Sequence, residues 1–230
     1  MYVKKYLAIL LLMTICLVGY FWLKAPSLTT TAVSANQNLT GFVVTIDPGH
    51  GGLDNGASVG KTKEDELNLK ISEALKTELE SRGATVYLTR SDDQDMTQRN
   101  YNYSKQDDMY LRAQKIDENN PDVFVSIHLN ASSNTSAWGS QVFYYGKSEQ
   151  GKTLAAIIHN AMKPVTGTTK KIQSADFYVL RCTKTVGVLI ECGFISNANE
   201  RGQLRSSKYH QKLASAISDG IEEYLLSMSE

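Results

Sequence analysis

Cysteine is scarce in this 230-residue chain, three in all, which is too few and too odd a number for the disulfide framework that holds many small secreted domains together. Cys16 falls in an apolar leader. Of the other two, Cys182 and Cys192, the second follows a run of apolar strand residues and reads as a buried free thiol. Excess charge is missing as well, since 24 Lys and Arg balance 24 Asp and Glu. No basic field draws the chain to nucleic acid, so partners must be recognised locally. Four prolines and 42% hydrophobic residues exclude a disordered chain and suit one compact domain. HExxH, the P-loop, Gly-x-Ser-x-Gly and cysteine pairs at zinc-finger spacing are all absent. Ser126 and His128 lack a third member, and a serine-hydrolase reading fails on spacing.

The N-terminus carries a strong topological signal. Lys4-Lys5 precede the uncharged run Tyr6 to Leu23, and Lys24 closes it. The run is close to the roughly 20 residues a spanning helix needs and long for a signal-peptide core. It predicts either a membrane anchor through residues 6–23 or an export signal cleaved near Val33-Ser34-Ala35. Ile15 before Cys16 argues against lipid attachment. In both versions the protein is exported and works outside the cytoplasm. The organisation expected is a signal or anchor segment at 1–24, a Thr/Ser/Asn-rich linker at 25–39 and a catalytic domain at 40–230.

From Thr40 onward strand-like and helix-like segments alternate, which predicts an α/β fold in a single domain. Strands are expected at Val43 to Ile46, Ala84 to Thr89, Asp122 to Ile127, Gln141 to Tyr145, Phe177 to Leu180 and Val186 to Ile190. Helices are expected at Glu64 to Ser81 with Gly83 at its end, Asp107 to Asn119, Gln150 to Met162 and Ser207 to Leu226.

Ligands in open α/β sheets bind outside the carboxyl ends of the strands. Three polar residues stand at such ends, His50 after Val43 to Ile46, His128 after Asp122 to Ile127, and Glu191 after Val186 to Ile190. Glu64 opens the helix that follows the first of these strands. Two imidazoles and a carboxylate form the ligand set of catalytic zinc, with a fourth position for water and a second carboxylate free for acid–base work. The pattern does not separate Glu64 from its neighbours Asp65 and Glu66, since acids are favoured at any helix start. His159 and His210 sit inside helical segments and read as packing or surface residues.

Taken as a set, the stretches Ile46-Asp47-Pro48-Gly49-His50-Gly51-Gly52 with Asp54 and Gly56-Ala57, Glu64 to Leu69, Leu88-Thr89-Arg90, Ser126 to Ala131 and Ile190 to Asn197 resemble the zinc-dependent N-acetylmuramoyl-L-alanine amidases. The resemblance runs from about Gly41 to Leu225. It implies a twisted, mostly parallel six-stranded sheet flanked by helices, with zinc held by His50, Glu64 and His128 and with Glu191 as the catalytic acid/base. The implied reaction is hydrolysis of the amide between the lactyl group of N-acetylmuramic acid and L-alanine of the peptidoglycan stem peptide. The chain departs from the family in carrying Cys192 where many relatives have an aliphatic residue. Its loop Ala131 to Gly139 is also short where some insert an autoinhibitory helix, which implies a site that is not self-plugged. The leader, the bare catalytic domain and Tyr101 to Gln114 look most like the sporulation members of the family, which help to make muramic-δ-lactam in spore cortex. Some clostridial relatives of that kind depend on a spore lipoprotein, so such a partner is implied here. The alternatives are a zinc peptidase cutting within the stem peptide and a non-catalytic wall-binding module.

Overall fold

The structure, a computed structural model, describes residues 38–97 and 104–229. The expected leader at 1–24 and nearly all of the linker at 25–39 lie outside the described residues. Among the described residues no helix is long and apolar enough to cross a membrane.

Eight strands and six helices occur among the described residues. The strands are β1 (Val43–Pro48), β2 (Ser58–Val59), β3 (Thr62–Lys63), β4 (Thr85–Leu88), β5 (Val123–Asn130), β6 (Gln141–Tyr144), β7 (Gln173–Ser174) and β8 (Gly187–Phe194). The helices are α1 (Glu64–Ser81), α2 (Lys105–Asp117), α3 (Glu149–Thr166), α4 (Tyr178–Cys182), α5 (Ala198–Leu204) and α6 (Ser207–Ser227). Six strands form one sheet in the order β4-β1-β5-β8-β6-β7, and β2 pairs with β3 in a separate hairpin. All pairs in the large sheet are parallel except β6 with β8. The expected six-stranded, mostly parallel sheet is therefore present.

Strand alternation divides this sheet into two unlike faces. Val44, Ile46, Val125, Ile127, Val188, Ile190 and Val142 share one face by register. They are fully buried and join Leu67, Ile71 and Leu75 of α1, Leu154 and Ile158 of α3, and Leu213, Ile217 and Ile221 of α6 in the main core. The other face carries Asp47, Ser126 and His128 beside Phe124, Leu189 and Glu191. Its apolar part is a small cluster in which Phe124, Phe143 and Leu189 meet Ile116 of α2 and Val179 and Leu180 of α4. Polar groups can collect there because, among the described residues, only two helices cover it, one of them a five-residue turn.

Three departures from the sequence reading have physical causes. Phe177 to Leu180, expected as a strand, lies mostly in α4, where the amides of Leu180 and Arg181 both donate to Phe177 O. A four-residue apolar run has no period to read, and packing against β5 and β8 decides it. Helix α5 was unforeseen because its residues are almost all polar. It is set by Asn197, whose side chain accepts from the amides of Asn199 and Glu200. Strands β5 and β8 run past the expected ends at Ile127 and Ile190, so His128 and Glu191 lie within strands rather than after them. Gly83 does follow the first long helix, with φ at 96°. Cys192 is buried and Cys182 exposed, and both are free thiols.

Helices α3 and α6 approach so closely that a side chain on Gly220 would meet the Ile158 backbone, with an added Cβ only 2.7 Å from its Cα. A Gly220→Val variant is expected to lose about 1–3 kcal/mol through overpacking, read as a lower urea midpoint with an unchanged denaturant slope.

Candidate metal centre

The site begins where β1 ends. Asp47 is fully buried, and its Oδ1 accepts from Thr89 Oγ1 at 2.7 Å and from Arg112 Nη1 at 2.6 Å, while Oδ2 accepts from Ser126 Oγ at 2.7 Å. Burial pushes this carboxyl up, but the Arg112 guanidinium and the three donors outweigh it and hold the group below the usual carboxylate range. Arg112, itself buried, also donates to Pro48 O at 2.8 Å and His50 O at 3.0 Å. Arg90 donates to Pro48 O at 3.0 Å and Gly49 O at 2.9 Å, and Asn68 Nδ2 adds a bond to Gly49 O at 3.2 Å. Three successive carbonyls are thus fixed by side-chain donors from three separate segments. They hold His50 at φ 61°, a left-handed conformation that costs a residue with a Cβ on the order of 1 kcal/mol. Glycine is required just before it, since a Cβ on Gly49 would fall 2.2 Å from the His128 ring.

Glu64 is placed by a reciprocal clasp at the start of α1. Its amide donates to Ala57 O at 2.9 Å, and the Ala57 amide donates to its Oε2 at 2.8 Å. Its Oε1 then lies 3.1 Å from His50 Nε2 and 3.2 Å from His128 Nδ1. His50, Glu64 and His128 each offer one ligand atom, all within 4.8 Å of one another. Of the three adjacent acids only Glu64 reaches the histidines. Glu66 is exposed and sits 3.9 Å from Lys63, and Asp65 is buried outside the cluster.

His128 and Glu191 are register partners on the neighbouring parallel strands β5 and β8, so both side chains emerge on the same face. Glu191 Oε2 is buried and has no hydrogen-bond partner among the described residues. Burial, reinforced by the charge of Glu64 and opposed by His50, pushes its carboxyl up to about 8. Burial lowers His50, but its hydrogen bonds to Asp54 and Glu64 prevail and pull it up to about 9. Glu64, in turn, is raised by burial yet held well below the carboxylate range by the imidazoles of His128 and His50. The cluster therefore attracts positive charge. Two imidazoles and one carboxylate at this spacing are a donor set that fits a three-ligand zinc site with an open fourth position.

Asp54 was quoted in the sequence pattern without a role. Its Oδ2 lies 2.8 Å from His50 Nδ1 while its Oδ1 accepts from the Gly56 amide at 3.1 Å, and Lys105 also contacts it. A carboxylate on Nδ1 selects the tautomer that leaves Nε2 free to bind a metal. Arg112 falls in the stretch Tyr101 to Gln114, which carries part of the resemblance, but the sequence gives it no role. His159 and His210 are buried in α3 and α6 and do not belong to the cluster.

The four residues open into a cavity of about 390 Å³. The rest of its lining is largely apolar, with Met109, Phe177, Tyr178 and Val179 joined by Leu189 from the same strand face as Glu191.

Comparison with known proteins gives a consistent result. The profile of the N-acetylmuramoyl-L-alanine amidase family matches residues 44–223. The germination-specific N-acetylmuramoyl-L-alanine amidase of Bacillus subtilis is 35% identical over 191 residues, 81% of each chain. Among solved structures, the CwlD amidase from Clostridioides difficile, in complex with the GerS lipoprotein, matches with a TM-score of 0.75 at 34% identity, covering 81% of this chain and 99% of that one. The catalytic domain of CwlV, an N-acetylmuramoyl-L-alanine amidase from Bacillus (Paenibacillus) polymyxa, matches with a TM-score of 0.70 at 34% identity, covering 80% of this chain and 98% of that one.

Breaking the buried pair under the loop should be costly. Asp47→Asn leaves the Arg112 charge without its closest partner and is expected to destabilise the protein by about 3 kcal/mol or more at neutral pH. Because the folded pKa of Asp47 lies below its unfolded value, its contribution is complete above about pH 4 and is lost as pH falls further. Urea titrations at pH 7 and pH 3 should show the gap between wild type and variant narrowing at the lower pH.

Proposed function

The chain belongs to the N-acetylmuramoyl-L-alanine amidases, enzymes of cell-wall hydrolysis, and from that premise we propose a zinc enzyme in which His50, Glu64 and His128 hold the metal and Glu191 is the catalytic acid/base. The bond cut is the amide between the lactyl group of N-acetylmuramic acid and L-alanine of the stem peptide. The observation that carries this reading is the convergence of three ligand atoms within 4.8 Å beside an unpartnered, buried Glu191 carboxylate oxygen.

Zinc, when bound, would lower the pKa of a water and polarise the scissile carbonyl. The chain's own residues do the rest. Glu191 Oε2 takes the proton of the attacking water and returns it to the alanine nitrogen as the C–N bond breaks, so the leaving group departs as an amine. Burial of the Glu191 carboxyl favours its protonated form, which suits the half of that transfer in which the proton is given up to the leaving nitrogen. Asp54 keeps His50 in its ligating tautomer, and the arginine-held loop keeps the imidazole in place before substrate arrives. Met109 and Val179, with Leu189 beside Glu191, offer a dry surface to the two methyl groups that flank the scissile amide, those of the lactyl group and of alanine.

A site of action in the spore cortex, where the hydrolysis would contribute to the making of muramic-δ-lactam, is supported by the likeness to the germination-specific enzyme of B. subtilis. The C. difficile relative was solved with a lipoprotein, and we extend the same kind of partner to this chain. The cell-wall relatives imply extracytoplasmic action, and anchoring through residues 6–23 is the proposed means of retention there.

Digestion of purified peptidoglycan followed by mass spectrometry tests the reaction. New N-terminal alanine and free lactyl carboxylate are expected, and chelation should abolish both until zinc is restored. A new amine further along the stem would refute the bond assignment. Glu191→Gln should lower kcat by about 10²–10⁴-fold while metal analysis still finds one zinc per chain. His128→Ala should instead lose the metal.

A further inference from the structure

A second concavity lies on the same carboxyl edge of the sheet, and its chemistry is unlike that of the first. It has a volume of about 700 Å³ and is formed by the β2–β3 hairpin, the first turns of α1 and helix α5. Five cationic side chains line it, Lys61, Lys63, Lys70, Arg201 and Arg205, against one acid, Glu66. In a chain whose charges balance at 24 of each sign, this is a local segregation. Like charges gathered on one concave surface repel unless an anion enters between them. Lys63 lies 3.9 Å from Glu66, whereas Lys61, Lys70 and Arg205 have no ion-pair partner among the described residues. Arg201 is held in place, its Nη1 donating to Ile195 O at 2.8 Å and Ser196 O at 3.3 Å.

The chain ties this groove to the metal centre at two points. Lys63 immediately precedes Glu64. Ile195, whose carbonyl anchors Arg201, follows directly on β8 and donates its amide to Asn130 O at 2.9 Å, closing the ends of the strands that carry His128 and Glu191. The groove is thus joined to the metal centre through the chain, at Lys63 beside Glu64 and at Ile195 beyond Glu191.

We infer that this groove is a carboxylate-binding subsite for the stem peptide beyond its alanine, recognising the acidic side chains and terminal carboxylate that follow the scissile bond. The inference rests on the amidase reading above and extends it to the peptide side of the substrate. Any stem peptide ends in a carboxylate, and acidic residues along it add more. Each exposed contact is weak and screened by salt, so several in a row are needed. Three separate segments supply them here.

The test uses the full chain and the variant Lys61→Gln/Lys70→Gln/Arg205→Gln, which spares Lys63 beside the site and the backbone-bound Arg201. Substrates are a muropeptide with free carboxylates and the same muropeptide after amidation. For the wild type, KM is expected to be about tenfold lower on the free form at low salt, with kcat matched within about twofold. The triple variant should lose that preference, and raising the salt should erase it in the wild type. Calorimetry with the free stem peptide needs no turnover and should show the same roughly tenfold difference between wild type and variant. Equal KM on both substrates, a preference that survives in the variant, or equal peptide binding would overturn the inference. So would binding of polyglycerol phosphate that the variant loses while both muropeptides behave alike, since this would assign the groove to phosphate. Peptide binding as expected, without cleavage of either muropeptide, would uphold the subsite and strike only the amidase reading.

Discussion

Everything at the site depends on the buried contact between Asp47 and Arg112. A paired charge in a dry interior is a poor source of net stability, because desolvation of both ions offsets most of their attraction. Its value here is positional. Once its closest bond has gone to Asp47, the guanidinium has hydrogens left over, and these find Pro48 O and His50 O. Arg90 repeats the arrangement from the strand edge on Pro48 O and Gly49 O. A loop that would otherwise turn carbonyls toward water has them satisfied by fixed donors, and His50 is kept in a left-handed conformation that it would not choose alone.

That constraint would be useless without a second, which the sheet supplies. His128 and Glu191 are opposite one another on parallel strands, so their separation is set by ladder hydrogen bonds rather than by loop conformation. The loop end and the strand pair meet at Gly49, where the lack of a side chain lets the His128 ring lie against the backbone. Glu64 closes the group from a helix whose first residue is clasped by Ala57. Loop, helix start and two strands each contribute one group; His50, Glu64 and His128 are tied by side-chain hydrogen bonds, and Glu191 is placed by the backbone ladder of β8.

How much of this could be read from sequence follows from the range over which each interaction acts. His50, His128 and Glu191 were legible because apolar strand patterns break at polar residues, a local signal. The α/β class was legible from the alternation of strand-like and helix-like segments, whereas the six-stranded, mostly parallel sheet was implied by the family resemblance. Glu64 could not be distinguished from Asp65 and Glu66 by pattern, because the choice depends on helix phase, which the Ala57 clasp fixes. Arg112 had no legible role. It sits in a polar helical stretch that reads as a solvated face, and its partner Asp47 is 65 residues away. Phe177 to Leu180 failed for the opposite reason, being too short to carry a period, so that its fate was left to Phe124, Phe143 and Leu189. The basic groove is likewise assembled from residues 61–70 and 201–205, each unremarkable alone.

The unlike faces of the sheet give these facts a common cause. Helices α1, α3 and α6 bury one face against a large apolar core, and this is where most of the hydrophobic stabilisation is gained. The other face is freed from that duty. It can hold Asp47, Arg112 and a Glu191 oxygen without a partner, groups whose burial costs free energy, because the opposite core supplies the surplus. Covering that face with short α4 and the polar α2 also leaves the cavity over His128 and Glu191 open to a polymer, where a third long helix would have sealed it. The stability of the fold and the chemistry of the site thus occupy opposite sides of the same six strands. Substitutions on the α1–α3–α6 side should therefore act on folding first, and those under α2 and α4 on the geometry of the site.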